Sequence, residues 1–559
     1  MIDKKGIKKL GICFGTIFLV LIGKLLYIQI IKGENLSVMA EVQHSHTGNI
    51  SEINYMVLDD KGKSLLKTDD KYKIVIDTVD FKRNNSSTPM EELYAFRYTL
   101  KNYNKNYDIA VDLNSDKEGK RYYDVDKETY DKINSLNNIN GVYSYKYNSI
   151  DRKSSWNICN MLTSSKTRDG KDKEGDCLEN TIAEYTSANK SSTIVFATDS
   201  QGKVQEGIYN IPKDNVNLKL TINDSMEEKV KEVLEQEKYK KYSQIGVALC
   251  DSDTGKIRVL TQKDNSKPNI MLASATENGY SPGSIFKTIV LGAALNEGIV
   301  SLDDKFTCEC KPNLPCKTSH GTLTVEEAFT KSCNNIFAEI GNKLGSKKII
   351  EYAKAQGLFS KVLNLYGDNE AQGDYVISEV DEGGATNISI GQNIRIEPLQ
   401  ALGMINTVVN NGVYVKPYIM GSLEDNDFNT VKEFQTSEKQ QVIKTSVATI
   451  MKNELLRVVR DENGTGKAAY VKNVELGGKT GTATRMEPKK DDNGGYLKDD
   501  KGNSVMEKRY DGWFAGYYKY KGKNYSMVVF VENIANEESG GTIAAPIFKE
   551  IVEKVTDIK

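Results

Sequence analysis

Gly279-Tyr-Ser-Pro-Gly-Ser-Ile-Phe-Lys-Thr288 stands just before an apolar, helix-like run, and its reading decides the fold. Ser284 precedes Lys287 by three positions, a spacing that puts both side chains on one face of a helix, one turn apart. The lysine amine can then take the proton of the serine hydroxyl, so nucleophile and base share one turn and no histidine is needed. S-x-x-K also recurs by chance on solvated helices, where the lysine simply faces water. The pattern gains weight from two companions downstream, Ser332-Cys333-Asn334 and Lys479-Thr480-Gly481-Thr482.

The bulk composition narrows the chemistry. With 559 residues the chain has sequence for several domains. Its 75 basic and 77 acidic residues leave a net charge of -2, which gives no electrostatic case for a nucleic-acid partner. A mean hydropathy of -0.49 describes a soluble body, so any membrane contact must be local. The histidines are His44, His46 and His320 alone, and no G-x-S-x-G elbow surrounds a serine. A Ser-His-Asp hydrolase therefore has few candidates for its base, and lysine is favoured.

The N-terminus reads as a membrane anchor. Lys4, Lys5, Lys8 and Lys9 precede an apolar stretch from Leu10 to Ile31, broken by Lys24. That stretch is long enough to span about 30 Å of hydrocarbon, and Lys24 lies where it can snorkel to the outer interface. The basic flank predicts residues 1–9 as a cytoplasmic tail with the remainder exported. A cleaved signal peptide is the rival reading, but no A-x-A-like site follows the apolar core.

Residues 32–214 are polar and carry no repeat, phosphate loop or chemical constellation. Tyr55 to Gly62 and Tyr72 to Asp77 read as strand, turn, strand. From Asn215 the pattern changes. Val216–Asn223 alternates like a strand, Ser225–Lys238 is helix-like, and Ile245–Asp251 is a buried-strand run followed by a hairpin turn into Ile257–Leu260. Thr324-Val-Glu-Glu327 is a capping box opening a helix toward Ser332. Trp513–Tyr518 and Tyr525–Val531 form a hairpin pair, and Ala544–Val555 closes as a helix. Strands, then helices, then strands predict an α+β fold, an antiparallel sheet covered by helices. Met486–Arg509 is a very polar insert, read as a hairpin tip.

Together the three motifs and their surroundings resemble the penicillin-binding protein transpeptidase domain. Asn217-Leu-Lys-Leu-Thr-Ile222, Val247–Gly255, Ser389-Ile-Gly-Gln392 with Glu397-Pro-Leu-Gln400, Asn411-Gly412 and Asp511-Gly-Trp-Phe-Ala-Gly516 look like further family landmarks. The resemblance covers residues 215–559 and implies a penicillin-binding, serine β-lactamase-like transpeptidase domain. Anchor (10–31) plus spacer is similar to the class B, monofunctional branch, with 32–214 as an elongated pedestal or dimerisation-like domain. The implied activity is a peptidoglycan D,D-transpeptidase of the cell wall, cross-linking stem peptides and acylated by β-lactams, with no cofactor for catalysis. By resemblance Ser284 attacks the carbonyl of a terminal D-Ala-D-Ala peptide, Lys287 takes its proton, and Ser332 and Asn334 relay protons and hold the peptide amide. Lys479, Thr480 and Thr482 suit the terminal carboxylate, and Gly481 removes a side chain where substrate lies against the strand. The backbone N–H groups of Ser284 and Thr482 are the implied oxyanion hole, where losing one donor typically costs about 10²–10³ in rate. The class also implies a polytopic glycan-polymerising partner in the membrane and a role in cell shape.

Cysteines give a separate clue. Cys308-Glu-Cys310, Cys316 and His320 form C-x-C-x5-C-x3-H, three thiols and an imidazole that make a full tetrahedral set for structural zinc. A disulfide or free thiols are the alternatives, and a C-x-C pair suits one metal better than one bridge. Cys159 and Cys177 are left undecided as a pair.

The rival functions are a D,D-carboxypeptidase with water as acceptor, a β-lactamase, and a non-catalytic penicillin-binding sensor or scaffold. A β-lactamase needs a deacylating base, for which Glu370, Glu379 and Glu382 are the nearby acids. A sensor needs a signalling part that residues 1–9 do not supply.

Overall fold

The computed structural model describes residues 4–27, 45–114, 119–136, 138–167, 169–199, 203–309, 316, 319–377, 385–436, 438–489, 497–499 and 501–558. Two compact units emerge from the chain. One takes Thr68–Ile150 and Asn189–Lys213 together with the stretch up to Asn54; the other takes Tyr55–Lys67 and Asp151–Ala188 as well as Asp214–Lys559. Two segments of the polar N-terminal region thus fold with the C-terminal unit.

In the first unit, Thr68–Asp77 is the middle strand between Lys120–Val125 and Val142–Ile150. Successive side chains on a strand point to opposite faces. Ile74 and Ile76 accordingly pack with Phe81, Phe96 and Leu100, while Val75 packs with Tyr143, Tyr145, Ile194 and Phe196. Thr68–Asp77 pairs with these strands and Val57–Leu58 pairs with Asn217–Leu220, so the strand-turn-strand expected here consists of two strands in different sheets. The pattern identified extended segments correctly, but a local pattern carries no information about the partner strand.

The second unit is built on a five-stranded antiparallel sheet. Its strands are β1 (Gln244–Asp251), β2 (Ile257–Gln262), β3 (Glu475–Pro488), β4 (Met506–Tyr520) and β5 (Lys523–Ile534), in the order β2-β1-β5-β4-β3. Helices α1 (Asp224–Leu234), α2 (Lys287–Asn296), α3 (Val325–Thr330), α4 (Asn334–Leu344), α5 (Ala401–Val409), α6 (Thr445–Arg460) and α7 (Ala544–Thr556) cover it. The period of two sorts the strands between two cores. Phe514, Tyr518, Met527 and Val529 pack with Val230 of α1 and Phe548 of α7. Trp513, Tyr517, Val528 and Phe530 pack on the other side with Ile289 of α2, Leu402 of α5 and Leu455 of α6. Helix α2 is buried around nearly its whole circumference, as a helix apolar on all sides must be. Its first residue, Lys287, is therefore carried into the interior.

Among the described residues strand β3 ends the sheet and pairs with β4 alone, from Glu475↔Lys519 to Pro488↔Met506. The pairing extends into the polar insert, whose residues 490–496 and 500 lie outside those described. Cys159, Cys177 and Cys250 are buried and joined by no disulfide.

The N-terminal stretch Lys4–Leu26 is one helix with Ile12, Phe14, Phe18, Leu19 and Val20 exposed. Among the described residues no helix is long and apolar enough to cross a membrane. The expected span ran on to Ile31, and residues 28–31 lie outside the described chain; Lys24 breaks the apolar run within it.

The capping box forms as its sequence predicts. Thr324 Oγ1 accepts from Glu327 N at 3.2 Å, and Glu327 Oε2 accepts from Thr324 N at 2.9 Å. Thr324→Ala leaves an N–H of α3 without its cap and is expected to lower stability by about 1 kcal/mol in denaturant titrations.

Candidate active site

Ser284 lies in a tight 3₁₀ turn, Gly283–Phe286, that runs directly into α2 at Lys287. Residues three apart eclipse in such a turn, so the expected shared face is kept with a longer rise. Two close approaches hold the turn. A Cβ on Gly481 would come within 2.7 Å of the Pro282 carbonyl, and one on Gly283 within 2.6 Å of the Thr482 carbonyl. The absent side chain at Gly481 thus makes room for the nucleophile's own turn, where substrate contact was expected. Gly283 has φ +55° and abuts Gly391 of Ser389-Ile-Gly-Gln392, which fixes the turn from the other side.

The second motif meets α2 through an unusual backbone. Ser332 has φ +58°, a left-handed conformation that costs a non-glycine residue roughly 1 kcal/mol or more. It sits between α3 and α4, and the conformation lets its carbonyl and hydroxyl face the same amine. Lys287 Nζ donates to Ser332 O at 2.8 Å and to Asn334 Oδ1 at 2.7 Å, with Ser332 Oγ at 3.3 Å. Lys479 Nζ, from β3, donates to the same Ser332 Oγ at 2.9 Å and to Thr480 O at 3.2 Å. One serine hydroxyl therefore bridges two lysines.

Both lysines are fully buried. Burial disfavours the ammonium form and pushes Lys287 down to about 7, against the nearby Cys333 and Cys316, which favour the cation. Burial, and then the charge of Lys287, hold Lys479 well below the usual lysine range. A neutral amine has two N–H bonds and one lone pair. At Lys287 the Ser332 carbonyl and the Asn334 amide oxygen match the two N–H bonds, which leaves the lone pair to accept a proton.

The threonines divide their roles. Thr480 Oγ1 donates to Thr465 Oγ1 at 2.9 Å, and Thr482 Oγ1 accepts from Gly540 N at 3.2 Å. Thr465, within Asn463-Gly-Thr-Gly466, had escaped notice in the sequence; its loop-like glycine pair was the available signal. Thr480, Thr482 and Thr484 share one face of β3, which turns polar groups along the free edge.

A group of soft ligands stands beside this centre. Cys308, Cys316, His320 and Cys333 bring their ligand atoms within 4.8 Å of one another. Cys308 ends a strand whose partner begins at Gly321, directly after His320, and Cys333 is the N-cap of α4. The expected ligand Cys310 lies outside the described residues, and Cys333, the middle residue of Ser-Cys-Asn, completes the group. Of the acids weighed as a deacylating base, Glu379 and Glu382 lie outside the described residues. Glu370 is buried, and its two oxygens each accept at 2.7 Å from Leu363 N and Leu365 N. It tethers a loop.

Comparison with known proteins follows this geometry. A family model described as the penicillin binding protein transpeptidase domain matches residues 245–553. Stage V sporulation protein D of Bacillus subtilis is 29% identical over 399 residues, 65% of this chain and 57% of that protein. Peptidoglycan D,D-transpeptidase PbpA of Mycolicibacterium smegmatis is 25% identical over 341 residues, 54% of this chain and 65% of that protein. The chain spans less than two thirds of either relative's length. A peptidoglycan synthetase structure from Bifidobacterium adolescentis superposes with a TM-score of 0.60 at 20% identity, over 92% of this chain and 96% of that one. Apo penicillin binding protein 3 from Mycobacterium tuberculosis gives 0.58 at 17% identity, over 92% and 97%. These likenesses establish the fold, and with the match over more than half of its residues the chain belongs to the penicillin binding protein transpeptidase family.

Proposed function

We propose that the chain is a peptidoglycan D,D-transpeptidase with Ser284 as its acylated nucleophile. One observation carries the reading: groups far apart in sequence converge, with Lys287 Nζ and Lys479 Nζ 3.3 and 2.9 Å from the Ser332 hydroxyl and Asn334 Oδ1 2.7 Å from Lys287 Nζ. Ser284 Oγ attacks the carbonyl of the terminal D-Ala-D-Ala bond as neutral Lys287 takes its proton. The backbone N–H groups of Ser284 and Thr482 receive the developing oxyanion. The proton passes through Ser332 to the departing D-alanine amine, and Lys479 offsets the substrate's carboxylate. An amine from a second stem peptide then attacks the acyl-enzyme. A carboxypeptidase differs only in using water at that step. The names of the curated relatives favour the amine.

The exposed apolar side chains of the N-terminal helix support a membrane anchor with the catalytic unit outside the cell. A polytopic glycan polymerase beside such an anchor would supply the strands to be cross-linked.

The cysteine-histidine group fits a structural zinc ion. Two thiolates each about 2.3 Å from zinc lie roughly 3.8 Å apart at a tetrahedral angle. Here Cys308 and Cys316 sulfurs are 3.6 Å apart, and those of Cys316 and Cys333 are 3.8 Å apart. Among the described residues His320 Nδ1 is buried with no hydrogen-bond partner, as a ligand nitrogen awaiting a metal would be. Four protein ligands leave no open position, so the ion would pin Cys333, and with it Ser332 and Asn334, to the 305–324 hairpin.

Three outcomes are expected. Mass spectrometry after incubation with benzylpenicillin shows one adduct on the wild type and none on Ser284→Ala; an adduct surviving that change refutes the assignment. The acylation rate rises as the pH climbs through about 7 and levels off above it, because only the neutral Lys287 amine accepts the proton. Elemental analysis of the full-length chain finds one zinc per molecule, and Cys333→Ser loses both zinc and acylation; metal-free protein of equal activity and stability would overturn the zinc site.

A further inference from the structure

Helix α6 carries Met451, Leu455 and Val458 in the core of its unit. Ile450, Glu454, Arg457 and Asp461 recur at intervals of three and four, which places them on another face of the helix. That face lines a cavity of about 410 Å³, bordered also by Leu302 and by Glu326 in the first turn of α3. Residues 284, 287, 332, 334 and 479 do not border it.

Two buried groups at this cavity are unmet. Glu454 is 2% exposed, and its Oε2 has no hydrogen-bond partner among the described residues. Arg457 spends its terminal nitrogens on acids, Nη1 on Glu326 Oε1 at 3.2 Å and Nη2 on Asp461 Oδ2 at 3.1 Å. These pairs fix the guanidinium, and its buried Nε is left without a partner among the described residues. Buried donors and acceptors are ordinarily paired, because an unmet one keeps the cost of leaving water and regains nothing.

The unmet donor and acceptor together define a ligand. Residues three apart on a helix are neighbours, so one small group can reach both Glu454 and Arg457. A metal ion is a poor match, since Glu326, Glu454 and Asp461 do not gather into a compact ligand set among the described residues. A simple cation meets the carboxylate and leaves Nε unmet, and a simple anion does the reverse. An amide meets both, because its carbonyl accepts and its N–H donates. Leu302, Ile450 and Leu456 add an aliphatic wall for a methyl group, and the exposed Asn453 and Arg460 suit hydroxyls. An acetamido group on a sugar ring combines these features. The cavity's volume lies within the ordinary span of small-molecule sites, about 300–1,000 Å³.

We propose that the cavity between α3 and α6 binds an N-acetylated amino sugar by its acetamido group. The carbonyl accepts from Arg457 Nε, the N–H donates to Glu454 Oε2, and the methyl lies against Leu302, Ile450 and Leu456. The source of that sugar is the glycan strand that bears the stem peptides; the source, though not the site, rests on the reading of the chain as a peptidoglycan transpeptidase.

The test uses the full-length protein in detergent and saturation-transfer NMR titrations with three probes. These are di-N-acetylchitobiose, the same disaccharide with free amines, and N-acetyl-L-alanine N-methylamide, which carries the acetamido group on a peptide. The acetylated disaccharide is expected to bind at least tenfold more tightly than the other two. Glu454→Leu and Arg457→Lys should each weaken it about tenfold, and Glu454→Gln, which keeps an acceptor, should weaken it less. Leu302→Trp fills the cavity without touching either ion pair and should also abolish binding. Benzylpenicillin acylation at the wild-type rate shows that each variant is folded. A wild type that does not bind the acetylated disaccharide, equal binding of either other probe, or binding that survives Glu454→Leu and Leu302→Trp overturns the site. Acylation without sugar binding defeats this proposal alone, and sugar binding without acylation defeats the transpeptidase reading and leaves the site standing.

Discussion

The structure depends on keeping an amine uncharged inside protein. Lys287 begins a helix with almost no solvent-facing side, so its nitrogen has to be satisfied by protein atoms alone. An isolated ammonium there would be costly. The left-handed Ser332 and the nearby Asn334 supply two acceptors, while burial and then the charge of Lys287 hold the neighbouring Lys479 well below the usual lysine range. Backbone strain at Ser332, burial of α2 and the edge position of β3 are three parts of one arrangement. Each brings a polar group to a point that the others have dried.

The same accounting applies to the buried acids of the C-terminal unit. Hydrolysing an acyl-enzyme quickly takes a base that activates water. The acid nearest to that role by sequence, Glu370, spends both oxygens on backbone N–H groups. Beside it Glu397 is fully buried, and burial together with the charge of Glu370 raises it well above the usual carboxylate range.

Much of this was legible in the sequence because period and spacing are local. A buried apolar run placed β1, the hairpin pair placed β5 and the second half of β4, which begins at Met506, the capping box located α3, and the spacing of Ser284 and Lys287 survived the change from α-helix to 3₁₀ turn. What escaped was set by partners distant in the chain. Tyr55–Gly62 and Tyr72–Asp77 read as strand, turn, strand, although the strands there, Val57–Leu58 and Thr68–Asp77, lie in different sheets. Cys333 read only as the middle of Ser-Cys-Asn, since the Cys308 hairpin that brings a thiol and an imidazole to it cannot be seen from spacing. Gly481 was explained by substrate because the turn at Pro282, nearly two hundred residues earlier, was not in view.

Strand β3 closes the sheet on one side and leaves it open on the other. Unpaired strand edges accept an extended chain, so the edge at which we propose that a stem peptide binds is open as well to a strand from a second copy of the protein. Most proteins blunt such edges with charge or a covering helix. Here the stretch from Thr480 to Thr484 carries no charged side chain, and the proposed activity requires that it stay uncovered. On the proposed reading, binding of a peptide and edge-to-edge pairing of neighbouring molecules would draw on the same backbone hydrogen bonds.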